Sequence, residues 1–248
     1  MIEDEKMPFS GHLEELRKRL VICFIAIAIG FIISYGFKEK IFHYLTIPLI
    51  SAMQADDKLI FTGLPEAFFT YLKVSLLSGL MLSAPVILYQ FWLFVAPGLY
   101  GKERKLLVPI VFLSSFFFIG GALFGYFIVF PFGFKFFLGF ATETIRPLPS
   151  MREYLSFSSM LLLAFGLVFE LPLVIIFLAR LGIVSVEFLK KNRKYAILLF
   201  FVVAAILTPP DVVTQIMMAV PLMALYEISI IGARVFGKKK SQKIDNDI

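Results

Sequence analysis

Six runs of apolar residues dominate this sequence, and most are long enough to cross a bilayer as helices: 20–37, 67–96, 106–134, 155–181, 195–208 and about 213–233. The hydrocarbon core of a membrane is about 30 Å thick and takes about 20 helical residues, each rising about 1.5 Å. Apolar residues make up 59% of the 248 and charged residues only 17%, with 30 Phe and a mean hydropathy of +0.88. A soluble domain carries about 25% charge, and one core of this length could not hide so much apolar surface. These observations exclude a cytosolic enzyme, a secreted disulfide scaffold and a disordered chain. They predict an all-α, polytopic membrane protein with six transmembrane helices.

Six crossings put both termini on one side, and the basic residues say which. Of the 24 Lys and Arg, 17 fall in the N-terminal tail, after the second span, after the fourth and in the C-terminal tail. Six fall in the alternate loops, and Lys73 lies within the second span. Cytoplasmic loops carry the excess of Lys and Arg, so both termini are expected in the cytoplasm. The formal charge of +6 therefore reads as membrane topology and not as nucleic-acid binding. The expected organisation is a cytoplasmic amphipathic segment (1–19), a six-helix transmembrane domain (20–233) and a basic cytoplasmic tail without fixed structure (234–248). Basic residues before the first span imitate a secretory signal, but no small-x-small cleavage site follows, so the span reads as an uncleaved anchor. Cys23 allows no intrachain disulfide, and His12 and His43 are too few for a metal cluster. No cofactor is expected.

Span lengths are uneven. The second and third would reach about 43–45 Å if straight, whereas the fifth reaches only about 21 Å. The fifth and sixth are expected to be short, in a kinked, concave bundle beside which the bilayer thins or the helix ends extend by polar turns. Pro85, Pro172 and Pro221 are expected to kink their helices. Gly121 and Gly125 make a small-x-x-x-small pair suited to close helix packing. Trp92, Tyr89 and Tyr100 suit an aromatic belt at the cytoplasmic interface. Lys73 is placed to snorkel to water, and Glu227 to pair with Arg234 or meet water.

Glu170 stands near the middle of the fourth span, where an ionised carboxylate costs several kcal/mol unless paired or wetted. Two readings stand open: a protonated acid hydrogen-bonded between helices, or a wet, partner-facing notch. The N-terminal segment has Leu13, Leu16 and Leu20 on one helical face, with Ser10 as a candidate N-cap. Glu14 can pair with Lys18, and Glu15 with Arg19, at i, i+4. The loop Pro97-Gly98-Leu99-Tyr100-Gly101-Lys102-Glu103-Arg104-Lys105 holds one acid among three bases. Glu15 and Glu103 would form a guanidinium site if they came together at the cytoplasmic face, since paired carboxylates accept the planar fork of arginine. Spacing does not settle whether they do. The chain carries no Walker A loop, dinucleotide-binding glycine fingerprint, HExxH, GxSxG or EF-hand loop, so no enzymatic activity is expected.

Several stretches together resemble the TatC family, the multispanning receptor subunit of the twin-arginine protein translocase. They are His12-Leu13-x-Glu15-Leu16-Arg17-Lys18-Arg19-Leu20; Leu82-Ser83-Ala84-Pro85-Val86-Ile87-Leu88-Tyr89-Gln90-x-Trp92; Ala96-Pro97-x-Leu99-Tyr100-x-x-Glu103-Arg104; Tyr154-Leu155-Ser156-Phe157; Phe165-Gly166-x-x-Phe169-Glu170-x-Pro172; and Thr208-Pro209-Pro210-Asp211. They span nearly the whole chain in the family's order. Lys105 stands where many relatives have Arg, which alters hydrogen-bond geometry but not charge.

The resemblance implies a receptor in the cytoplasmic (inner) membrane that binds twin-arginine signal peptides at its cytoplasmic face. With single-span partners of the TatA and TatB type, it would pass folded proteins across the membrane at the expense of the proton-motive force, as a homo-oligomer. It implies that Glu15 and Glu103 receive the two signal-peptide arginines, with Arg17, Phe94, Leu99 and Arg104 in or beside the patch. It further implies a sensitive position at Pro48, a concave-side role for Glu170, and contacts to a partner helix from Thr208 and Gln215. A small-solute secondary transporter would also suit an intramembrane acid and proline-broken helices, but the two halves of the chain repeat only faintly. A passive scaffold would make the cytoplasmic carboxylates dispensable.

Overall fold

The computed structural model describes residues 9–54, 58–95, 107–142, 144, 146–208 and 211–237. Among these the chain is almost wholly helical, with a lone parallel bridge between Ile60 and Ser150. It divides into two compact units at Gly166/Leu167.

The first unit begins with α1 (Phe9–Gly36), a 28-residue helix. From Phe9 on, the amphipathic segment and the first span are therefore one continuous helix, with Ser10 in its first turn. A short α2 (Lys38–Ile50) follows, and then α3 (Glu66–Val95). The third span comprises α4 (Leu107–Phe124), a π-helical turn (Gly125–Val129) and α5 (Phe130–Leu138). Pro131 explains the turn, because it has no N–H for the carbonyl of Phe127. The ladder widens there, and the N–H of Phe130 reaches back five residues to the carbonyl of Gly125. α6 (Met151–Val168) closes the unit.

Small residues let α1 and α3 touch backbone to backbone. A Cβ built on Gly30 would stand 2.5 Å from the carbonyl oxygen of Gly79. Likewise Gly125, of the expected glycine pair, packs on Phe165, where a Cβ would meet the ring at 3.2 Å. Serine hydroxyls inside the helices donate to their own helix, Ser75 to the carbonyl of Tyr71 at 2.7 Å and Ser83 to that of Gly79 at 2.8 Å. This satisfies polar groups where no water is available. Trp92 is not an interfacial aromatic: it is 1% exposed and donates its indole N–H to Ser114 of α4 at 2.7 Å. Tyr89 is exposed, and Tyr100 lies outside the described residues.

The second unit holds α7 (Leu171–Arg180), α8 (Val186–Lys191), α9 (Arg193–Leu207) and α10 (Val212–Phe236). Ser185 caps α8 by accepting from the N–H of Phe188 at 3.1 Å, and Asp211 caps α10 by accepting from that of Thr214 at 2.8 Å. Gly232 of α10 lies against Ile176 of α7, so close that a Cβ there would stand 2.3 Å from the isoleucine methyl. Glu227 pairs with Arg193 at 2.7 Å and not with Arg234, which ties the start of α9 to α10. Gly182, at φ 77°, makes the turn after α7 in a conformation that favours glycine.

Five stretches are long and apolar enough to cross a membrane: Leu13–Gly36, Glu66–Val95, Val108–Leu138, Met151–Arg180 and Val212–Phe236. The expected fifth span is α9, whose 15 residues reach only about 22 Å. The sixth, expected to be short, has 25 residues. Large apolar side chains stay outward on these helices, Phe24 at 68%, Phe112 at 76% and Leu198 at 63% exposed, as lipid-facing positions require.

Candidate signal-peptide site

Packing of α1 against α3 builds the site. The helices run antiparallel, with Gly30 meeting Gly79 and Arg19 meeting Gln90, eleven residues further along each helix. The same register carries Glu15 to the level of Phe94. Two residues singled out from sequence are thus brought to one end of one helix pair.

Arg19 organises that end. Its guanidinium grips one carboxylate oxygen of Glu15 through two N–H groups and reaches the side-chain carbonyl of Gln90 at 3.3 Å. The second oxygen of Glu15 is buried and, among the described residues, accepts no hydrogen bond. The carboxylate is held in place by one oxygen, and the other remains free to accept. Glu14 pairs with Lys18 at 2.8 Å on the exposed side of α1. Arg17, two residues from Glu15, is exposed and points to a different face of the helix. Gln90 is the residue that sequence reasoning missed: it lay in a recognised stretch, but nothing in one sequence marks a contact 71 positions away.

Leu99, Glu103 and Arg104 lie outside the described residues. Their segment, 96–106, leaves α3 at Val95 and enters α4 at Leu107, and the Trp92–Ser114 bond holds those two helix ends together. Both anchors of the segment are at the same end of the helix pair as Glu15.

The chain matches the family model for TatC, described as the Sec-independent protein translocase protein, over residues 11–221. It is a TatC-family protein. The TatC of Desulforapulum autotrophicum is 69% identical over 238 residues, covering 96% of this chain and 88% of that one. The TatC of Escherichia coli K12 is 41% identical over 244 residues, covering 98% and 95%. A crystal structure of the twin-arginine translocase receptor TatC superposes with a TM-score of 0.81 at 42% identity, covering 90% of this chain and 98% of that one. The chain is accordingly a multi-pass membrane protein and a receptor component of the Sec-independent protein export system, a transport component rather than an enzyme.

The other positions implied for TatC fall as follows. Pro48 is buried in the last turn of α2. Having no N–H, it leaves the carbonyl of Tyr44 without its helical donor, and the hydroxyl of Tyr126, on the π-helical turn, donates to that carbonyl instead. Tyr154 donates to the neighbouring carbonyl of Leu45. Pro48 thus opens the Tyr44 carbonyl of α2 to cross-bonding by Tyr126. Glu170 is buried at 8% exposure just before α7, with Pro172 in that helix's first turn, so the helical path breaks at the acid. Thr208 is buried and bonds back to the carbonyl of Ala204 at 2.8 Å, and Gln215 donates to the carbonyl of Phe201 at 3.0 Å. Both donate to carbonyls within their own unit.

Proposed function

We propose that Glu15, together with Glu103 on the 96–106 segment, receives the two guanidinium groups of a twin-arginine signal peptide at the cytoplasmic face. The free, buried oxygen of Glu15 carries the reading. A guanidinium is always charged and donates in a planar fork, and a carboxylate already fixed by Arg19 and Gln90 loses little freedom on accepting it. Arg17, Leu99 and Arg104 flank this patch and Phe94 lines it. Only a ligand bringing donors to the free oxygen gains from the site. The chain lies in the cytoplasmic membrane with both termini inside. It acts in a homo-oligomeric complex with TatA- and TatB-type single-span partners, which together pass folded cargo across on the proton-motive force. Glu170, Thr208, Gln215 and Pro48 serve the partner-facing steps.

Binding of a labelled twin-arginine peptide to the purified protein tests this. The double variant Glu15→Gln, Glu103→Gln is expected to lose binding by more than about tenfold, since each charge-assisted bond is worth about 1.5–3 kcal/mol. A twin-lysine peptide should bind the native chain more weakly. Undiminished binding by the double variant would reject the assignment.

A further inference from the structure

At the other end of the α1–α3 pair, Glu66 ties α3 to α6. One of its oxygens accepts from the N–H of Thr62 at 2.7 Å, the N–H of Gly63 at 3.2 Å and the Thr62 hydroxyl at 3.1 Å. The other accepts from the N–H of Arg152 at 3.1 Å. The carboxylate is therefore occupied by neutral donors and, among the described residues, forms no ion pair. Main-chain bonds of Ile60 with Pro149 and Met151 fasten the same two segments. α3 and α6 consequently start at one level and run parallel.

Between them lies a groove of two connected cavities, about 440 and 290 Å³, which share Lys73 and Leu155. Its character changes with depth. Arg152 and Glu66 stand at the mouth. Lys73 on α3 and Ser159 on α6 each lie seven residues in, about 10 Å deeper. Beyond them the walls are Leu76, Leu77, Leu80 and Leu163. Among the described residues neither Lys73 nor Arg152 has an ion-pair partner, and both are exposed. Two cations line a groove whose one carboxylate is already bonded by four neutral donors.

We infer that this groove binds an anionic phospholipid. The phosphodiester sits between Lys73 and Arg152, the ester region lies against Ser156 and Ser159, and one acyl chain follows the leucines. Net charge selects the headgroup: a phosphatidylglycerol neutralises the excess positive charge, whereas a zwitterionic phosphatidylcholine brings its own cation to the same place. Lys73 suits the phosphate level because its four-carbon stem reaches toward the mouth from within the span. In the proposed orientation the bound lipid belongs to the outer leaflet, remote from Glu15.

Native mass spectrometry of the full chain, released from micelles containing equal phosphatidylglycerol and phosphatidylcholine, reads the preference directly. The native protein should retain phosphatidylglycerol preferentially, and each of Lys73→Gln and Arg152→Gln should reduce that preference about fivefold, the equivalent of about 1 kcal/mol per cation at an anionic surface. Lys73→Arg should restore it, which separates charge from folding. Water-soluble glycerol phosphate should not displace the lipid, because it lacks the acyl chain. Equal retention of both lipids by the native chain, an unchanged preference in both glutamine variants, or displacement by glycerol phosphate would each overturn the inference.

Discussion

Pro48 acts through the hydrogen bond it cannot make. Its ring removes the donor for the Tyr44 carbonyl, and Tyr126 replaces that donor from another helix. A Tyr126→Phe variant leaves the carbonyl unpaired and is expected to lower stability by about 1 kcal/mol. In a Pro48→Ala background the restored N–H closes the helix ladder, and the same change should cost almost nothing. A double-mutant cycle on thermal unfolding in detergent checks this, and equal costs in both backgrounds would refute it. Local pairings were legible in the sequence: Glu14–Lys18 and Glu15–Arg19 follow from four-residue spacing on one helix. Gln90 with Arg19, Arg193 with Glu227 and Tyr126 with Tyr44 were not, because each joins residues 34 or more apart and no local period encodes them.

At the scale of elements, hydropathy located the long helices but not their details. α2 and α8 went unforeseen, being 13 and six residues long with charges at or near their ends. The merger of the N-terminal segment with the first span hid behind the change from polar to apolar residues, which a helix crosses without interruption. The backbone-to-backbone helix contact was equally hidden. Gly30 and Gly79 are single glycines on different helices, whereas the sequence motif noticed was the pair on one helix. Gly79→Ala would place a methyl group 2.5 Å from the backbone nitrogen of Phe31, with no flexible side chain to yield. It should destabilise the protein by about 1–3 kcal/mol, as overpacking does, and should also loosen Arg19 from Gln90. Unfolding midpoints of this variant and of Gly36→Ala, where a Cβ meets nothing within 4 Å, provide the test and its control. Of the candidate site, Glu15 and Phe94 could be placed through helix register, while Glu103 stands on a segment whose course no periodicity fixes.

For the whole molecule the decisive question is whether α9 crosses. The five longer stretches by themselves would put the termini on opposite sides. Adding α9, only 15 residues long, would return them to one side, the arrangement proposed above and expected from the distribution of Lys and Arg. Such a short helix must thin the bilayer locally or draw on polar turns at its ends. With Cys23 replaced by serine, single cysteines placed before residue 9 and after residue 237 should both resist an impermeant thiol reagent in intact cells and both react once the membrane is opened. Labelling of one terminus in intact cells would exclude the six-crossing topology.

The glycine contact between α1 and α3 has a mechanical consequence. Where two backbones touch with no side chain between them, neither rod can slide or roll past the other without a clash. Gly30 lies 15 residues from Glu15, and Gly79 lies 15 from Phe94, so this pinned point stands about 22 Å from the carboxylate end. The alignment that sets Glu15 opposite Phe94 is therefore held from deep within the span.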